Sequence, residues 1–348
     1  MDLNYYKLML MRIGLFLIGI IVVLLFDPVL GQSQPEELGL IKWNRDLDLA
    51  QSLSLKTKKP ILILFQEIPG CGTCKSYGNK VLSHPFILEA IETYFVPLAI
   101  YNNKQGKDKN VLDLFGEPAW NNPVVRIVDA KLNPIVDRLN GNYTTYGLLS
   151  KITTTLIKTN QKIPKYLELF EEELQAKSTG TEKMTFGMYC FWSGEKNYGK
   201  INGVVSTTAG FMSGREVVEV EYNPKLISGA DLIKQGQKVN CADEVYMDKK
   251  NKSIQEYITI KEYGTFKADK ELKYYLFNTK YKHIPMSALQ AAKINSLLAE
   301  GKSIEFLLSP YQLIWLEKIK DFPNNKLSNY IGQDFELAFQ DFNKQLSK

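Results

Sequence analysis

The sequence predicts an α/β sandwich, then a smaller α+β sheet, then a mixed C-terminal region. Three observations point there. The uninterrupted apolar run Ile61 to Phe65, held between Pro60 and Pro69-Gly70, reads as a strand buried on both faces. Amphipathic segments alternate with runs of that kind as far as about residue 160. Farther on, Val218 and Val220 alternate with Glu219 and Glu221, the period of a strand covered on one face. At 348 residues the chain is too long for one typical core and suits two or three domains.

Taken in order, Lys7 and Arg12 precede an apolar run from Ile13 to Phe26 that stops at Asp27-Pro28, and Val29 and Gly31 occupy the −3 and −1 positions of a cleavage before Gln32. Residues 1–31 are therefore expected to be a secretory signal. The run is shorter than the ~20 residues of a spanning helix, although an uncleaved anchor is the alternative. Either way the bulk of the protein is exported, to a periplasm or the extracellular space. Trp43 to Ala50 begins an amphipathic segment ending near Lys56 to Pro60, and the Ile61–Phe65 strand follows. After the Pro69-Gly70 turn a helical pattern runs from Cys71 to about Leu82. Further elements are a helix over Ile87 to Thr93, strands over Phe95 to Ile100 and Val124 to Val128, and a hairpin arm at Ile135-Val136. A helix over Tyr146 to Lys158 closes this part, assigned to residues 38–160. Residues 161–183 are read as a helix, Leu167 to Ala176, and a polar linker, Lys177 to Lys183. In the next part, 184–250, Thr185 to Tyr189, Phe191 to Lys200, Val204 to Ala209, Glu216 to Tyr222 and Leu226 to Gln235 make a βαββα order suited to a ferredoxin-like sheet. The remainder, 251–348, has no assigned role. It holds two capped helices, at Ser287-x-x-Gln290 and Ser309-Pro310-x-Gln312.

Composition excludes some classes. The net charge of +5 arises from 43 basic and 38 acidic residues, interspersed and without a basic block, so no nucleic-acid partner is expected. The four cysteines lie between positions 71 and 241. An exported protein usually joins its cysteines in structural disulfides. So few, so widely spread, would staple little, and catalytic use is the better reading.

Cys71-Gly72-Thr73-Cys74 follows the buried strand and opens a helix. Dithiol exchange needs one exposed thiolate of low pKa and a second thiol within reach of the mixed disulfide, and two intervening residues at a helix start meet both needs. An inert disulfide, or half a zinc site, is the competing reading. No second Cys-x-x-Cys exists, and His84 and His283 are isolated, so no metal is expected. With Ile61–Phe65 and Asn122-Pro123, the motif resembles the thioredoxin superfamily over roughly Leu38 to Asn160. The resemblance implies that Cys71 attacks, Cys74 resolves and Pro123 is a cis proline lining the substrate groove. The buried acid of that family is missing from the apolar strand, and Glu67 is the nearest carboxylate.

Cys190 begins a second helix, beside Phe191 and Trp192. Sulfoxide reduction requires a thiolate to attack sulfur, an acid for the departing oxygen and an apolar pocket for a methyl group. A buried core cysteine is the competing reading of Cys190, and core packing that of Trp192. Cys190-Phe191-Trp192, Gly203 to Thr207 with Gly210-Phe211, and Glu216 through Tyr222-Asn223-Pro224 together resemble type A peptide methionine sulfoxide reductases, over about Thr185 to Lys234. The resemblance implies Cys190 as nucleophile, Glu216 as proton donor, and Phe191 and Trp192 as the methyl pocket. Tyr189 replaces the family's glycine, the loop from Gly210 to Glu216 is short, and the family's oxygen-binding tyrosine is absent. Tyr222 and Tyr246 are candidates to replace its hydroxyl, with no spacing argument for either. Cys241 is the remaining thiol and is assigned as resolver of a Cys190 sulfenic acid, with a purely structural role as the alternative.

The expected function is an exported thiol oxidoreductase that reduces peptide-bound methionine-S-sulfoxide in oxidised proteins and is recycled by its own dithiol. One rival is a general thiol–disulfide oxidoreductase whose second part only binds partners. Another is a non-catalytic redox-responsive interaction protein. No Gly-x-Gly-x-x-Gly is present and no cofactor is expected, so electrons would come from an external thiol donor, membrane-borne in this reading.

Overall fold

The computed structural model describes residues 34–247, 258–320, 322–323 and 326–346, so the expected signal lies outside the described residues. Among them, no helix is long and apolar enough to cross a membrane. Helix α1 (Leu47–Thr57) is capped by Asp46, whose carboxylate accepts the Leu49 N–H at 3.1 Å. Strand β1 (Ile61–Gln66) is followed by α2 (Gly72–Tyr77), α3 (Pro85–Tyr94), β2 (Val96–Tyr101), α4 (Lys107–Phe115), β3 (Val124–Val128), β4 (Leu139–Asn140) and α5 (Thr145–Lys158). The sheet order is β2-β1-β3-β4, with β1 parallel to β2 and antiparallel to β3. A central strand with helices on both faces has no wet side, and β1 is buried at every residue, as its apolar run implied.

Three local readings change. The helix after Cys71 gives way to a π-helical turn at Gly78–Leu82. The Ile135-Val136 arm makes no strand: Pro134 forms one bridge to Val128, and the ladder resumes only where β4 pairs with Val124 and Val125. Proline has no N–H with which to extend the ladder there. Helix α4 escaped the sequence reading because its apolar residues are confined to its second half, Val111 to Phe115. Its end is nonetheless marked by Gly116 at φ 62°, a left-handed C-cap.

The expected linker is also structured. Helix α6 (Lys165–Thr179) runs past Ala176, and β5 (Glu182–Gly187) starts after two residues. The polar residues there are paired at the surface rather than unstructured: Lys177 meets Glu173 at 2.6 Å and Lys183 meets Glu219 at 2.7 Å. Beyond β5 come α7 (Phe191–Gly199), β6 (Val204–Met212), β7 (Arg215–Tyr222), α8 (Gly229–Lys238), β8 (Glu244–Met247), β9 (Thr259–Glu262) and β10 (Phe266–Ala268). Helix α8 begins three residues after Leu226, where the Ser228 hydroxyl accepts the Asp231 N–H at 3.1 Å. The second sheet has the order β10-β6-β7-β5-β8-β9. Both of its outer strands come from the segment 259–268.

The chain then forms α9 (Tyr274–Phe277), α10 (Ala288–Ala299), α11 (Pro310–Lys318) and α12 (Phe335–Leu346). Ser287 caps α10, and Ser309 with Gln312 completes the capping box of α11. These helices enclose a third core around Leu289, Ile294, Trp315 and Phe342. They also hold the two halves. The Leu289 N–H donates to Glu173 on α6 at 2.9 Å, and the Tyr311 N–H to Glu89 on α3 at 2.8 Å. The Ser296 hydroxyl donates to the Lys196 carbonyl on α7 at 2.8 Å.

Candidate functional site

The first thiol pair sits where β1 gives way to α2. Cys71 is the N-cap of α2 and exposed, whereas Cys74 is buried, and both sulfurs are free and 3.7 Å apart. The Cys74 backbone N–H pointing at Cys71 holds that thiol below its ordinary value. Burial, then the neighbouring Cys71, pushes Cys74 up to about 11. The pair is therefore asymmetric in the sense dithiol exchange requires. Pro123 is buried and its bond to Asn122 is cis.

Two polar side chains at this site escaped the sequence reading. The Cys74 thiol donates to Asn122 Oδ1 at 2.7 Å. Gln66, fully buried at the end of β1, donates to the Cys74 carbonyl at 3.1 Å and to the Glu37 carbonyl at 2.7 Å. Only adjacency to Pro123 hinted at Asn122, and Gln66 is the sole polar residue in an apolar strand. Glu37 in turn accepts the Gly70 N–H at 2.7 Å, so the loop carrying Cys71 is tied from below.

The second site is built at the end of β5. The Met188 N–H donates to the Glu216 carbonyl at 3.1 Å, bringing the start of β7 beside the start of α7. Cys190 is the half-buried N-cap of α7, but its sulfur makes no cap hydrogen bond. Instead Glu216 Oε2 accepts the Phe191 N–H at 2.9 Å. One of the unpaired N–H groups at the start of α7, one residue along the chain from Cys190, is thus taken by the carboxylate. Helix α7 approaches the sheet closely because residue 194 is glycine: a Cβ there would lie 2.2 Å from the Met188 sulfur.

Phe191 is buried in the core of this part and Trp192 is partly buried against that core, where residues far along the chain join them. Trp192 stacks on Tyr274 with centroids 4.0 Å apart, and its indole N–H donates to Asp269 at 3.2 Å. Phe211 meets Phe191 edge-on at 5.2 Å. Burial, then Cys190, raises the Tyr275 hydroxyl above its ordinary range. The segment is anchored by Lys273, whose ammonium meets the fully buried Glu195 at 3.0 Å. The backbone N–H groups of Tyr275 and Leu276 both donate to Asn295, each at 3.1 Å. In the sequence only the Tyr274-Tyr275 doublet offered a signal.

The tyrosines considered earlier are engaged elsewhere. Tyr222 donates to Glu182 at 2.6 Å, at the opposite end of β7 from Glu216, and Tyr246 donates to Glu244 at 2.7 Å. Cys241 is free and buried, 3.5 Å from the Asn197 amide on α7. Burial raises its thiol pKa, with Cys190 near enough to add to the shift.

The family model described as thioredoxin-like matches residues 42–130. Part of the chain is similar to peptide methionine sulfoxide reductases. The enzyme MsrA of Methanococcus maripaludis strain C6 is 43% identical over an alignment of 72 residues that takes in 16% of this chain and 46% of the relative. MsrA 1 of Nostoc sp. PCC 7120 is 41% identical over 69 residues, 15% of this chain and 42% of the relative. The Drosophila melanogaster enzyme is 39% identical over 62 residues, 14% of this chain and 25% of its own length. The chain thus spans less than half the length of these curated relatives. A solved structure titled DsbH Oxidoreductase aligns with 38% of this chain and 94% of its own at 16% identity, with a TM-score of 0.30, too low to bear on function. A thioredoxin-like stretch is therefore joined here to one similar to type A methionine sulfoxide reductases.

Proposed function

We propose that the protein is an exported thiol oxidoreductase that reduces peptide-bound methionine-S-sulfoxide at Cys190 and is recycled by its own Cys71–Cys74 dithiol. The observation that carries this reading is the Glu216 carboxyl on the Phe191 N–H, against the Cys190 helix start. There it can pass a proton to whatever oxygen the sulfur displaces. Trp192, half-buried over the buried Phe191, offers apolar surface to the substrate methyl, and Tyr275 offers a neutral hydroxyl to the sulfoxide oxygen.

In this scheme the Cys190 thiolate attacks the sulfoxide sulfur and Glu216 protonates the oxygen. The resulting hydroxyl then passes from the substrate sulfur to Cys190 as the S–O bond and the new S–S bond break, releasing the thioether and leaving Cys190 as a sulfenic acid. Cys241 then condenses with it, releasing water and forming a disulfide. Cys241 is buried, so its sulfur must turn toward Cys190 for this step. Cys71 attacks the Cys190 side, Cys74 expels the mixed disulfide, and an external dithiol reduces Cys71–Cys74. The net change is one sulfoxide and two thiols converted to a thioether, a disulfide and water. Oxidised exported proteins are the substrate class, and no cofactor enters.

A general thiol–disulfide oxidoreductase is the second reading, favoured by the completeness of the Cys71–Cys74 site on its own. Turnover of a Met-S-sulfoxide peptide by the full chain separates the two. Cys190→Ser should abolish sulfoxide reduction while insulin disulfide reduction persists; sulfoxide turnover undiminished in Cys190→Ser would refute the assignment.

A further inference from the structure

We propose that the reduced dithiol, together with Glu67, binds one borderline transition-metal cation, with zinc as the ion to test. Cys71 Sγ, Cys74 Sγ and a Glu67 carboxylate oxygen lie within 4.8 Å of one another. The two sulfurs are 3.7 Å apart. A tetrahedral zinc about 2.3 Å from each of two sulfurs needs them roughly 3.8 Å apart, so the thiols already stand at the edge length of such a site. A carboxylate oxygen about 2.1 Å from the same ion lies roughly 3.6 Å from each sulfur, so Glu67 needs a swing on the order of 1 Å.

The donor set suits the ion as well. Two thiolates and one oxygen select a borderline cation over magnesium or calcium. Asn122 Oδ1, 2.7 Å from Cys74 Sγ, is a fourth donor within reach, and exposed Cys71 leaves the site open to solvent. The sequence made a metal unlikely by counting histidines and Cys-x-x-Cys motifs. That count omits a carboxylate four residues upstream, which the Ile68–Gly70 turn folds back onto the thiols.

Binding replaces both S–H protons with the ion and releases them to solvent; no electron moves. Oxidation to the Cys71–Cys74 disulfide removes both ligands, so metal and disulfide exclude each other. Zinc would therefore silence the recycling arm while leaving Cys190 free. The proposal rests on the geometry of this dithiol and not on sulfoxide reduction.

The test uses the full reduced chain under anaerobic conditions. It is titrated with zinc against a chromophoric chelator, and with cobalt while following thiolate-to-metal charge-transfer absorption. One equivalent per chain is expected, absent from diamide-oxidised protein, abolished by Cys71→Ser or Cys74→Ser, weakened by Glu67→Ala and unchanged in Cys190→Ser. In wild type, zinc should slow Cys71 alkylation at least about 10-fold while Cys190 labels normally, since the thiolate is both nucleophile and ligand. No bound equivalent, binding that survives Cys71→Ser, wild-type affinity in Glu67→Ala, or no protection of Cys71 would overturn the site. Sulfoxide and insulin assays run in chelator are unaffected by any of these outcomes, so the two ideas fail separately.

Discussion

Lys273 and Glu195 allow a quantitative test of how the C-terminal third supports the Cys190 site. Glu195 is fully buried; Oε1 accepts from Lys273 Nζ at 3.0 Å and from the Ala209 N–H at 3.2 Å, and Oε2 from the Lys273 N–H at 2.7 Å. The ammonium also donates to the Thr207 carbonyl. Lys273→Met removes the cation and leaves a carboxylate buried without a counter-charge, a loss of about 3–5 kcal/mol for such a pair. In a chain of this size a thermal scan should register a fall of about 4–7 °C. The double variant Lys273→Met/Glu195→Gln removes both charges while a neutral oxygen still accepts backbone N–H groups. It should recover about half of the loss. Because Lys273 carries Tyr274 and Tyr275, the single variant should also weaken sulfoxide turnover. A Lys273→Met shift under about 2 °C, or a double variant no better than the single, would show that the pair is not coupled as argued.

Other outcomes follow from the same geometry. At neutral pH, iodoacetamide should label Cys71 in preference to Cys74, with the Cys71 rate levelling off below the ordinary thiol pKa, because its thiolate is favoured and Cys74 is pushed up to about 11; mass spectrometry of the labelled peptides reads this. Glu216→Ala should cut kcat for sulfoxide reduction by about 10²–10⁴-fold while leaving insulin reduction intact. Burial raises Glu89 to about 7 from the usual 4.5, so the folded state binds its proton more tightly than the unfolded state. Its contribution to stability is therefore present at low pH and lost as pH rises from 4.5 through about 7, a change on the order of 3 kcal/mol. Urea titrations across that window should show a slope that Glu89→Gln flattens. Buried His84, lowered to about 3, acts oppositely, since stability falls as acid forces it to charge.

Local chemistry was legible where neighbouring residues determine it. Pro60 and Pro69 bounded β1, Ser287 and Ser309 marked two helix starts, and the places of Cys71 and Cys190 at helix starts were recognisable from the strand before each and the helix after it. These features depend on contacts a few residues apart, so composition and period carry them. The tertiary structure alone supplied Asn122 on Cys74, Glu216 on the Phe191 N–H, and the Asp269–Tyr275 segment around Trp192. The last of these partners are separated by 77 residues or more, and pairings at that range leave no periodic trace in a single chain. The supposed linker misled for a related reason. Its Lys and Glu residues read as solvent-seeking, and only the packed fold sets them opposite partners across a strand pair and along a helix. Side-chain type and spacing therefore prescribed most of the elements and the places of Cys71 and Cys190 at helix starts, whereas long-range packing decided which acids, amides and rings surround them.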